Sequence, residues 1–189
     1  MGFRIKMFYL ILFFSFLTFN AFAEEPAPFG LILGKSTKDE AISIMEKEGA
    51  VFIDSGYRVI KGDIVNPYVE GFDFENVPIE NIQEATLWFF NETLFQIVYT
   101  FPLSMDKDEF YVMFEILKSK YGRPIKYVKP YLADGVAIWR FKDVEIRLLA
   151  PWVSSDMYVT YTHIPLFRKA EQSDYEVMKK ETSTPKKGL

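Results

Sequence analysis

Cysteine is absent from the 189-residue chain, which removes disulfides, thiol nucleophiles and thiolate metal sites together. Histidine occurs once, at His163, so a transition-metal centre has few ligands to draw on. Basic charge is also short. The 22 Lys and Arg face 26 Asp and Glu, and a net charge of −4 disfavours a nucleic-acid surface. Between Gly62 and Asp106 there is no lysine or arginine, while Asp63, Glu70, Asp73, Glu75, Glu80, Glu84, Glu92 and Asp106 all fall there. The main apolar run, Met7 to Phe19, is short of the roughly 20 residues that span a bilayer as a helix.

That run instead reads as an export signal over residues 1–23. Arg4 and Lys6 give a positive start, and Ala21-Phe22-Ala23 a small-x-small cleavage site before Glu24. The expectation is a periplasmic protein with no stable membrane span after cleavage. Without Arg4 and Lys6 the balance becomes 20 basic against 26 acidic, or −6. With no disulfide, such a chain relies on its apolar core, and its 19 Phe, 11 Tyr and 3 Trp supply the material.

Periodicity predicts an α+β fold, an antiparallel sheet packed by two amphipathic helices. Phe29 to Leu33 reads as a short strand. A helix follows over about Thr37 to Glu48, with Ala41, Ile44 and Met45 on one face and Gly49 as its stop. Val51 to Ile60 reads as a strand interrupted by a Ser55-Gly56 turn. Tyr68 to Phe74 alternates, with Tyr68, Phe72 and Phe74 on one face. Ala85 to Phe101 is a hairpin turning at Asn91-Glu92-Thr93. The stripe Phe110, Met113, Phe114, Leu117 and Tyr121 marks a second helix, ended by Gly122-Arg123-Pro124. Strands are predicted over Ile125–Val128, Val136–Phe141, Val144–Leu149 and Met157–His163. Ser173 to Glu176 reads as a capping box before a short terminal helix, and Thr182 to Leu189 as a disordered tail.

The two halves echo each other. Each starts a helix with Lys-Asp-Glu (Lys38 to Glu40; Lys107 to Glu109) and later carries Trp-x-Phe before a hairpin turn (Trp88 to Phe90; Trp139 to Phe141). A tandem duplication and two convergent α+β segments both account for this. The organisation expected is a first α+β unit over 24–103, a second over 104–165, and a C-terminal helix and tail over 166–189.

Gly34-Lys35-Ser36 resembles the end of a phosphate loop, but the glycine that motif requires falls at Phe29. Thr37 and Glu40 fit a capping box better, with Gly34 as the bend before the first helix. His163 shares an alternating face with Met157, Val159 and Tyr161 and reads as a core-edge histidine. Asp73 and Glu75 suit acid/base work or calcium in principle, yet no calcium-loop spacing accompanies them. No catalytic residue, metal ligand or cofactor site is assigned. Lys118, Lys120, Arg123, Lys126 and Lys129 form a basic counterpart to the acidic segment, which suits a charge-asymmetric module or self-association. The candidate interface residues are Trp88, Phe90, Tyr127, Tyr131, Trp139 and Trp152, because aromatics beyond a core's needs mark binding surfaces.

The stretch Phe29-Gly30-Leu-x-Leu33-Gly34-x-Ser36-x-x-Asp39-Glu40-Ala41 resembles the opening of the BamE/SmpA-like outer-membrane assembly modules. It is similar also to the β-lactamase inhibitor protein, a tandem repeat of such a unit. The resemblance implies helices on an antiparallel sheet and a binding role in envelope assembly or inhibition, and it transfers no catalytic residue. The lipidated cysteine of the BamE-like lipoproteins is missing. The expectation is therefore an exported, non-enzymatic module with a protein partner of the cell envelope. The alternative is a ligand-binding or enzymatic module using the acidic residues of 63–106 with His163.

Overall fold

The computed structural model describes residues 25–183. Its centre is one eight-stranded antiparallel sheet, in the order β1-β2-β3-β4-β8-β7-β6-β5. The strands are β1 (Val51–Lys61), β2 (Ile64–Glu75), β3 (Glu84–Phe90), β4 (Thr93–Pro102), β5 (Lys126–Val128), β6 (Gly135–Arg140), β7 (Val144–Ala150) and β8 (Asp156–His163). Three helices accompany them: α1 (Lys38–Lys47), α2 (Asp108–Tyr121) and α3 (Ile164–Ser183). The fold is α+β, with the sheet dominant. Each half runs as a helix followed by a four-stranded meander, and the halves join where β4 pairs with β8, Ile97 lying opposite Tyr161.

Local chemistry sets the boundaries. Thr37 Oγ1 accepts from the Glu40 N–H and the Glu40 carboxylate accepts from the Thr37 N–H, so the expected capping box starts α1. Asn91 and Glu92 both have positive φ (46° and 65°), as a two-residue type I′ hairpin between β3 and β4 requires.

The helices cover both faces of the sheet. Ala41 and Met45 of α1 and Phe110, Phe114 and Leu117 of α2 pack on one face, against residues such as Phe74, Leu87, Ile97 and Trp139. Each of the larger of these, Met45, Phe110, Phe114 and Leu117, contributes about 1.5–3 kcal/mol on burial. The other face carries the smaller cluster of Val69, Phe95 and Ala170, with Trp88, Phe90, Leu166 and Phe167 packed against it. Here α3 offers one fully buried side chain, and polar bonds do much of the holding. Asn66 is buried and donates to Ser173 Oγ and Asp174 Oδ1, both at 2.6 Å. Arg58 pairs with Asp174 at 3.0 Å and lies over the rings of Trp88 and Phe95.

Several expectations change. Phe29 to Leu33 is no strand. Pro28–Gly30 forms a 3-10 turn in which Phe29 (φ 53°) and Gly30 (φ 78°) bend the chain away from any ladder. Leu31 and Leu33 still reach the core, and the segment is tied to β4 where Gly34 N donates to Leu94 O and Leu94 N to Ser36 O. Ser55-Gly56 makes no turn but sits inside β1, and the chain reverses at Gly62-Asp63. Tyr68 leaves the core face, because the register jumps between Tyr57↔Glu70 and Arg58↔Asn66 and bulges Pro67 and Tyr68 outward.

The Ser173–Glu176 capping box is replaced by continuous helix. Ser173 Oγ donates back to Ala170 O and accepts from Asn66 of β2, so the oxygen that suggested a cap is already engaged. The expected short terminal helix is thus a longer one that starts at Ile164 and packs on the second face of the sheet. Thr182 and Ser183 belong to it, while the rest of the expected tail (184–189) and the expected signal (1–23) lie outside the described residues.

Candidate functional site: an apolar loop cluster at one end of the sheet

Antiparallel alternation brings three loops of the second half to the same end of the sheet. They are the β4–α2 loop (103–107), the β5–β6 loop (129–134) and the β7–β8 loop (151–155). Their bases are fastened to one another. Lys107 takes a left-handed backbone (φ 63°) just before α2, and its buried ammonium donates to Ser154 O at 3.1 Å and Pro151 O at 3.4 Å. Leu103 N donates to Ser155 O at 2.7 Å, and Asp134 Oδ1 accepts from Trp152 N at 2.8 Å. A cation satisfied only by main-chain carbonyls ties loop to loop without offering free charge to solvent.

The tips are apolar and point into water. Met105 is 99 % exposed, Val153 86 %, Tyr131 79 %, Leu132 69 % and Trp152 54 %. Together they border a groove of about 580 Å³. Single exposed apolar residues are ordinary, but five clustered on three mutually braced loops are not.

Of the sequence-selected residues, Tyr131 and Trp152 meet here. The others do not. Trp139 is 2 % exposed, packs near Phe114 and donates its indole N–H to Gly122 O at 2.8 Å, so its place is in the core and not at an interface. Trp88 and Phe90 pack in the cluster beneath α3, and Tyr127 lies on α2 with its ring 4.4 Å from that of Phe114. Met105, Leu132 and Val153 escaped sequence reasoning. Their signal was an apolar residue inside a turn-rich segment, such as Leu132 between Pro130 and Asp134-Gly135.

Near the cluster, the Ser104 hydroxyl shares its one proton between Asp106 and Glu109, and with the N–H groups of Asp108 and Ser104 it holds both carboxyls below the usual carboxylate range. This arrangement fixes the start of α2. His163, the one histidine of the sequence, ends β8 at the opposite end of the sheet.

His163 meets Gly34, and its Nδ1 accepts from Leu166 N at 3.4 Å. Burial lowers its pKa, against the pull of Asp143 and Glu25 and with Lys169 assisting. None of those charged groups belongs to the 63–106 segment, several of whose members have partners of their own. Asp73 accepts from Thr86 Oγ1 at 2.7 Å, and Glu70 and Glu92 share Lys38 at 3.1 and 2.9 Å. Among the described residues, no group of three His, Cys, Asp or Glu is placed to hold a metal ion, and no helix is long and apolar enough to cross a membrane.

No curated protein and no solved structure matches the chain. The family profile of the TP0088 domain, in contrast, matches residues 27–173, which contain the sheet, α1, α2 and the first half of α3. On that match, the chain belongs to the TP0088 domain family.

Proposed function

We propose that this protein is an exported, non-enzymatic interaction module of the cell envelope, which binds a protein partner through its apolar loop cluster. The observation carrying this reading is the exposure of Met105, Tyr131, Leu132, Trp152 and Val153 on three loops braced by Lys107 and by the Trp152–Asp134 hydrogen bond. Exposed aromatic and aliphatic side chains on braced loops gain the desolvation term on binding, and the rings of Tyr131 and Trp152 have few rotamers to lose. The polar groups around them are already satisfied within the protein, so they position the loops and leave no evident chemistry. The recurrence of a helix and a four-stranded meander supports reading the chain as a duplicated unit, with binding loops retained on the second copy. Export to the periplasm rests on the signal-like residues 1–23.

Affinity purification from the native envelope tests this reading, comparing the wild-type protein with Tyr131→Ala/Trp152→Ala. A partner recovered by the wild type and lost by the folded variant is expected. Equal recovery by both would place the binding surface elsewhere.

A further inference from the structure

A second groove, of about 490 Å³, lies on the other side of the β4–α2 loop. Phe101, Met113 and Met157 form an apolar floor, and Val112 and Ile116 of α2 form a wall. Val112 is 62 % exposed and Ile116 54 %. Folding gives no reason for them. The core stripe of α2 is Phe110, Phe114 and Leu117, and β-branched residues on the outer face lower helix propensity without packing in return. The rim is of one sign. Glu80, Asp108 and Glu109 border the groove and no lysine or arginine does. Ser104 bonds Glu109 and the start of α2 favours Asp108 and Glu109, so the site combines apolar surface with a net negative charge.

Water-facing apolar residues beside carboxylates match one kind of occupant, a segment that alternates apolar and cationic side chains. An apolar side chain replaces water over Val112, Met113 and Ile116, and the neighbouring cation meets the exposed carboxylates of the rim. An acidic segment would meet repulsion, and a purely apolar one would leave the rim unpaired.

We infer that this groove reads the partner's sequence, seating an apolar side chain on Val112, Met113 and Ile116 and an adjacent lysine or arginine against Glu80 and Asp108. The inference rests on the reading that this end of the molecule binds a polypeptide, and it specifies that polypeptide's chemistry. Recognition is then salt-sensitive, whereas contact at the aromatic loops alone is not.

The test is a random-peptide phage library selected on the purified protein, with each enriched clone re-measured on Glu80→Gln/Asp108→Asn and on Trp152→Ala. Clones carrying Lys or Arg beside Leu, Ile, Phe or Met are expected, weakening about ten-fold or more on the double variant. Enriched clones without basic residues, or binding indifferent to the double variant, would overturn the inference. Clones that fail only on Trp152→Ala would overturn it while leaving the aromatic loops as the binding site. No enriched clone at all would count against both.

Discussion

The imidazole of His163 lies directly over Gly34. A Cβ built on that glycine would stand 2.6 Å from His163 Nε2 and 2.8 Å from two ring carbons, and Gly34 has φ 83°. The glycine of the apparent phosphate loop and the chain's one histidine are therefore two halves of a single packing contact. It closes the Leu31–Ser36 segment against the junction of β8 and α3.

Gly34→Ala is expected to destabilise the protein by about 1–3 kcal/mol, because it adds a clash to a left-handed backbone. Chemical denaturation measures this directly. Gly34→Ala/His163→Ala should recover the part due to the clash and retain the part due to φ. A wild-type midpoint for Gly34→Ala would show that the contact opens freely.

The same contact predicts a pH dependence. Burial holds the His163 pKa below its ordinary 6.5, opposed by Asp143 and Glu25 and aided by Lys169. The unfolded chain therefore binds the proton more readily than the folded one. Stability from this group is fully present above about pH 6.5 and falls as pH drops through the folded value. The melting temperature of the wild type should decline more steeply than that of His163→Gln between about pH 7 and 5. Parallel curves would contradict the assignment.

Two tryptophans should separate core from surface. Trp139→Ala removes a buried ring and its hydrogen bond to Gly122 O, at a cost of about 3–5 kcal/mol. Trp152→Ala should change stability by no more than about 0.5 kcal/mol, while abolishing partner recovery. A large loss of stability at Trp152 would make the loop cluster structural.

Tyr99 offers a change in the opposite direction. Its buried hydroxyl has no hydrogen-bond partner among the described residues, and burial, with Tyr121 nearby, pushes its pKa up. Tyr99→Phe removes an unsatisfied polar atom and keeps the ring against Tyr161, so stability should hold or rise by up to about 1 kcal/mol. A clear loss would mean that the hydroxyl is bonded.

The parts of this fold legible in the sequence were those set by neighbours in the chain. The α2 stripe, the Thr37–Glu40 cap and the Asn91-Glu92 hairpin depend on residues a few positions apart, and all three are present. Non-local arrangements were hidden. The bulge at Pro67 and the continuity of α3 through Ser173 depend on Asn66 meeting Ser173 and Asp174, a contact across more than half the chain. Burial was hidden too. Trp139 and Trp152 look alike in sequence, yet one lies on a strand beneath α2 and the other in a loop. The candidate site was half legible for that reason, with Tyr131 and Trp152 found and Met105, Leu132 and Val153 missed.

On the proposed function, the apolar loop cluster contacts a protein partner in the envelope. Photocrosslinking in living cells tests it most directly, with benzoylphenylalanine placed at Val153 and, for comparison, at the exposed Tyr175 of α3. A discrete higher-mass adduct from Val153 and none from Tyr175 is the predicted result. An adduct from Tyr175 alone, or none from Val153 in cells where the protein is folded and exported, would contradict the account.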